Sequence, residues 1–182
     1  MKKLEKAAVL LELIKELRKN NSWCGETNIQ KSVYVLQAIF GNDLGYSFIL
    51  YKHGPYSFDL KESLTAMRAD KVLDLESHIQ YGPRFMPGEN SEFFKNHYTE
   101  VRENYKKKLN FIASKLGKYK VSELEKLATA LYVWKKQENS EIGDTEIAKR
   151  INELKKHISI EEATSSIKEV RQLIKEAKEL LR

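Results

Sequence analysis

Tyr46-Ser47-Phe48-Ile49-Leu50-Tyr51-Lys52-His53-Gly54-Pro55-Tyr56-Ser57 is the stretch whose reading decides the fold. Residues 46–51 alternate and are aromatic and β-branched, as a short strand would be. Residues 53–57 read as a turn, because Gly54 supplies conformational freedom and Pro55 fixes φ. Ser57 then caps a helix over 58–69 with Leu60, Leu64 and Met67 inward. Upstream, Leu4, Ala7, Ala8, Leu11, Ile14 and Leu17 recur at three- and four-residue steps and predict a helix over 3–19. Thr27 reads as the N-cap of a second helix running to Phe40. Its stripe Ile29, Val33, Leu36 and Phe40 is widened by Val35 and Ile39, which makes it central; Gly41 stops it. Downstream, Val72–Leu75 and Ile79–Met86 read as a β-hairpin that ends at Pro87-Gly88. Helix, helix, strand, helix, hairpin is the order of a winged-helix-like unit.

Beyond Gly88 the pattern is helical. Phe94, Tyr98, Val101, Tyr105, Leu109, Ile112 and Leu116 predict one long helix ending at Gly117. Ser122-x-x-Glu125 and Ser159-x-x-Glu162 read as capping boxes, and a short helix with Ile147, Ile151 and Leu154 inward starts at Asp144 or Thr145. The last helix carries a narrow seam, Ile160, Ala163, Ile167, Val170, Ile174, Ala177 and Leu181. The seam either packs on its own chain, the favoured reading, or joins a homo-oligomer through 160–181. The expectation is a mainly α protein with a small winged-helix-like β-hairpin and strand component. Residues 1–88 form the winged-helix-like half and 89–182 the helical half, as two domains or one continuous domain.

At 182 residues, 41% hydrophobic and 32% charged, the chain can bury a core without a disulfide or metal staple. No apolar run approaches a membrane span. The single cysteine, Cys24, rules out an internal disulfide, and the basic start Met1-Lys2-Lys3 lacks the pattern of a secretory signal, so a cytoplasmic location is expected. The net charge of +6 is concentrated. Residues 95–120 hold Lys95, Arg102, Lys106, Lys107, Lys108, Lys115, Lys118 and Lys120 against Glu100 and Glu103, while the flanking segments are balanced. Such a patch is either a solvated face or a surface for polyanions.

Catalytic constellations are missing from the pattern. His53, His78, His97 and His157 lie far apart, and His97-x-x-Glu100 is a lone pair. There is no glycine-rich phosphate loop and no nucleophile elbow. Cys24 beside Trp23 has nothing nearby to activate it. No catalytic residue, metal or cofactor is expected. For nucleic acid, Lys61, Thr65 and Arg68 share one side of helix 58–69, which a hairpin carrying Arg84 follows, but Asp59 and Glu62 occupy its first turn. Residues 145–173 scan like a helix-turn-helix whose reading helix would open on Glu161 and Glu162, which repel phosphates. The basic segment, with Arg102, Lys106, Lys107, Lys108 and Lys115, is the better polyanion surface.

Several motifs together resemble a known family. Gln30-Lys31-x-Val33-Tyr34-x-Leu36 precedes Gly41, Gly45-Tyr46-x-Phe48 and Tyr51-Lys52-His53-Gly54-Pro55-Tyr56-Ser57. Val72-Leu73, Leu127-Ala128-Thr129-Ala130-Leu131-Tyr132, Glu146-Ile147-Ala148-Lys149 and residues 157–163 follow. The set resembles the YwgA-type family of uncharacterised proteins over most of the chain. More distantly, residues 4–75 resemble the Panacea (SocA-like) antitoxin domain, with Ser32, His53 and Tyr56 as departures from its pattern. The resemblance implies a helical domain without known catalysis that neutralises a toxin, encoded nearby, or engages another protein. It points to Gln30, Lys31, Lys52, His53, Gly54, Pro55 and Tyr56 as partner-binding residues. Read physically, the turn places His53 and Tyr56 at a strand end, as architecture or as contacts.

Overall fold

The computed structural model describes residues 1–41, 43–137 and 142–182. The elements in order are α1 (Lys3–Lys19), α2 (Glu26–Phe40), β1 (Ile49–Tyr51), β2 (Gly54–Tyr56), α3 (Phe58–Ala69), β3 (Leu73–Glu76), β4 (Arg84–Pro87), α4 (Ser91–His97), α5 (Thr99–Leu116), α6 (Val121–Lys136), α7 (Asp144–Leu154) and α8 (Ile160–Leu180). The protein is mainly α, with two small antiparallel hairpins, β1–β2 and β3–β4. Among the described residues no helix is long and apolar enough to cross a membrane.

One cluster of buried apolar side chains runs from Ala7 on α1 to Leu173 on α8. Ten consecutive residues of α2, Asn28 to Gln37, are buried, as its wide apolar stripe predicts. It lies against α5 on one side and α6 on the other, while α1 packs along α5 and crosses from the first half of the chain into the second. Helix α8 lays Ala163, Ile167, Val170, Leu173 and Ala177 on α6 and α7. The seam that would join a second copy through 160–181 is therefore covered by its own chain; Ile160 and Leu181, at its two ends, stay exposed. The Ser159 box forms as read, with Ser159 N–H donating to Glu162 Oε2 (2.9 Å) and Glu162 N–H donating to Ser159 Oγ (3.1 Å).

The structure corrects six local readings. Helix α2 begins at Glu26, with extended Gly25 as its N-cap instead of Thr27, and Glu26 sits in the first turn where a carboxylate suits the helix dipole. The strand over 46–51 shrinks to Ile49–Tyr51, because the Gln37 side chain takes both the N–H and the C=O of Tyr46 (3.0 and 2.9 Å). Gly54-Pro55-Tyr56 is not turn but the returning strand, registered Tyr51↔Gly54, Leu50↔Pro55 and Ile49↔Tyr56, around a two-residue turn Lys52-His53. In the second hairpin, residues 79–83 belong to the connection, since Gly82 has φ +74° and Pro83 has no N–H to give a ladder. The single long helix breaks at Tyr98 (φ −117°, ψ 37°). There Thr99 Oγ1 donates to the carbonyls of Lys95 and Asn96, and Arg102 Nη1 donates to the Lys95 carbonyl. Finally, α6 starts at Val121, with the Lys120 N–H donating to Glu123 (2.6 Å), so Ser122 and Glu125 form no box. Glu125 points inward instead.

Candidate functional site: the seated hairpin

Buried polar side chains of α2 hold the β1–β2 hairpin from below. Gln30, fully buried, takes both backbone groups of Ser57: its Nε2 donates to the carbonyl and its Oε1 accepts from the N–H, each at 2.9 Å. One residue on, Lys31 is 1% exposed and its Nζ donates to the Pro55 carbonyl at 2.9 Å. Tyr56 donates its hydroxyl proton to Glu26 Oε1 (2.7 Å). From the other side, Lys155, just past α7, donates to the carbonyls of Tyr51 and Lys52, each at 2.5 Å. Gly54 has φ +85° and lies so close to α6 that a Cβ there would stand 2.9 Å from Thr129 Oγ1.

The seat also collects groups that are remote in sequence. The buried Glu125 carboxylate receives His157 Nε2 at 3.1 Å and faces His53 Nδ1 at 3.6 Å. Glu125 read as a capping residue, and Thr129 and His157 stood in motifs without a role; Lys155 stood in none, and none of the four was singled out as a site residue. The signal that could have flagged them is the pair Glu125 and Thr129 inside the apolar run Leu124, Leu127, Ala128 and Leu131 of α6. Among the described residues no three His, Cys, Asp or Glu side chains converge as metal ligands.

Burial pushes the Lys31 ammonium down to about 8, partly opposed by the Glu125 charge. An unfolded lysine titrates near ~10.4, so the folded state releases this proton first. Native stability contributed by the neutral amine is therefore gained as pH rises through 8 towards 10, and the cost of the buried charge is present in full below 8. Relative to Lys31→Met, the wild type should gain about 2 kcal/mol in unfolding free energy between about pH 7 and 9.5. Urea unfolding of both proteins at the two pH values checks this; a constant difference contradicts it. Cys24 is a core thiol: it is fully buried, and burial pushes its pKa up to about 11, which keeps it protonated at neutral pH.

The geometry divides the seven residues singled out in the sequence. Gln30 and Lys31 are buried in the seat, and Gly54 and Pro55 are buried in the returning strand that rests on it. Lys52 and His53 are exposed at the tip and Tyr56 is half-buried beside them. They are joined by Ile49, Tyr51 and Phe58, which are 49%, 52% and 51% exposed. The rings of Tyr51, Tyr56 and Phe58 cluster with centroids 5.2–5.8 Å apart.

The basic segment is partly neutralised. Lys95 pairs with Glu92, Lys106 with Glu103, Lys108 with Asp43 and Lys115 with Glu176. Arg102 is no surface cation: its side chain is 11% exposed and bonds Glu12, itself 12% exposed, at 2.8 Å. Of the bases singled out for polyanions in this segment, Lys107 has no carboxylate partner among the described residues, in company with Lys118 and Lys120. On α3, Lys61 and Arg68 are exposed and likewise have no carboxylate partner among the described residues.

No family model, curated protein or solved structure matches the chain.

Proposed function

We propose that the chain is a non-enzymatic binding protein whose β1–β2 hairpin docks another protein. The observation that carries this reading is the exposed cluster of Tyr51, Tyr56 and Phe58, flanked by Ile49, Lys52 and His53, on a backbone fixed from both sides by Gln30, Lys31 and Lys155. Aromatic side chains dominate interface energetics because they bury large area for little rotamer entropy. A hairpin that is already rigid loses little further freedom on binding. The resemblance to antitoxin domains narrows the partner to a toxin encoded near this chain, met in the cytoplasm. The basic segment offers less for a nucleic-acid reading, because five of its eight bases are held in ion pairs.

Expression of the chain should restore growth against that neighbouring toxin, and the double variant Tyr51→Ser/Phe58→Ser should not. With the purified partner, each single substitution should weaken binding by about 2 kcal/mol, near thirtyfold. Charge reversal at Lys106, Lys107 and Lys108 should leave that affinity unchanged. Rescue by the double variant equal to wild type would refute the hairpin assignment, and a charge-reversed chain that alone loses activity would transfer the function to the basic segment.

A further inference from the structure

A cleft of about 350 Å³ opens between the start of α2, the exposed side of α3 and the β3–β4 connection. Sites for small molecules span ~300–1,000 Å³. Asn28, 2% exposed, lines the cleft, and its Oδ1 has no hydrogen-bond partner among the described residues. Nε1 of Trp23, on the same wall, is buried and unpaired as well. Buried polar groups without partners are costly, and a bound group that pairs with them removes the cost. Helix α2 enters the cleft with Gly25 as N-cap and no side-chain cap, which suits an anion. Across from it stand Lys61 and Arg68, without carboxylate partners among the described residues. Tyr81, 68% exposed, supplies an aromatic wall with Trp23.

We propose that this cleft binds a nucleoside monophosphate. The phosphate lies between the first turn of α2 and the Lys61 and Arg68 side chains, and the base lies against Tyr81 and Trp23. The Asn28 amide, which both donates and accepts, serves the ligand's polar edge. Glu26 also lines the cleft. Its carboxylate, which holds the Tyr56 hydroxyl through Oε1, would repel a bare anion but accepts from sugar hydroxyls. Inorganic phosphate would leave the aromatic wall unused, and a neutral nucleoside would leave both cations unused. This inference does not depend on the hairpin's partner.

The test titrates AMP, GMP, CMP and UMP into the full chain carrying Trp134→Phe, so that Trp23 alone reports by fluorescence. At least one nucleotide should saturate with Kd below about 1 mM. The matching nucleoside and inorganic phosphate should each bind at least about tenfold more weakly, and Lys61→Gln and Arg68→Gln should each cost about tenfold. Both are exposed helix positions, and far-UV circular dichroism confirms the fold of each variant. The proposal fails if no nucleotide saturates by about 5 mM, if phosphate alone binds as tightly, or if the two substitutions leave Kd unchanged. It also fails if a single-stranded hexanucleotide binds more than about tenfold tighter than any mononucleotide, since the cleft would then be part of a nucleic-acid surface.

Discussion

Replacing Arg102 with Met should lower the unfolding free energy by about 3 kcal/mol. Arg102 Nε and Nη2 reach Glu12 Oε2 at 2.9 and 2.8 Å, while Nη1 donates to the Lys95 carbonyl at 3.0 Å. The guanidinium therefore ties α1 to α5 and also closes the end of α4. Both side chains are nearly buried, so removing the cation strands a carboxylate in a poorly solvated place. That stranded charge, and not the lost attraction, sets the size of the effect. The double variant Glu12→Leu/Arg102→Met should recover most of the loss, because no unpaired charge is left. Urea unfolding followed by circular dichroism checks both. A loss under about 0.5 kcal/mol for the single variant would show that the pair behaves like an exposed salt bridge.

Gly54→Ala should cost about 2–3 kcal/mol and detach the hairpin from its seat. Two separate effects add. A left-handed φ of +85° is unfavourable for any residue with a Cβ, by about 1 kcal/mol. The new methyl would also stand 2.9 Å from Thr129 Oγ1, with Lys31 Cε and the Glu125 carbonyl at 3.5 Å. Thr129 is fully buried and sits mid-helix, so it has little room to yield. Thr129→Ala on the Gly54→Ala background should return the steric share and leave the backbone share, a non-additivity that thermal unfolding of the four proteins resolves. Because Tyr51, Lys52 and His53 ride on this hairpin, partner affinity should fall with Gly54→Ala even under conditions where the chain stays folded. Unchanged affinity would mean that the hairpin does not need its seat.

What could be read from the sequence was what neighbours in sequence decide. Helices α1 and α3 follow from apolar residues three and four apart, and the caps at Ser57 and Ser159 from short polar patterns. The elements misread are those set by distant residues. Strand β1 is short because Gln37 takes the backbone of Tyr46, and Gly54-Pro55 became strand because Gln30 and Lys31 hold the returning chain while Lys155 holds Tyr51 and Lys52 before the turn. The charge excess over 95–120 was legible as composition, but its neutralisation by Glu12, Asp43 and Glu176 depends on where α1, the residues after α2, and α8 come within reach of α5. Likewise, Gln30 and Lys31 stood out as motif residues while their direction, inward to the hairpin, followed only from how α2 is buried on nearly every side. His53 lies in the turn directly after β1, whereas Tyr56 lies in β2 opposite Ile49; the sequence reads Tyr51 as strand and Phe58 as helix, as found, but does not show that their rings meet Tyr56 on one exposed face.

The most direct test is amide hydrogen exchange of the chain, free and saturated with its purified protein partner. Binding through the seated hairpin predicts that added protection falls on residues 49–58. Protection confined to residues 99–120, with 49–58 unchanged, would contradict it.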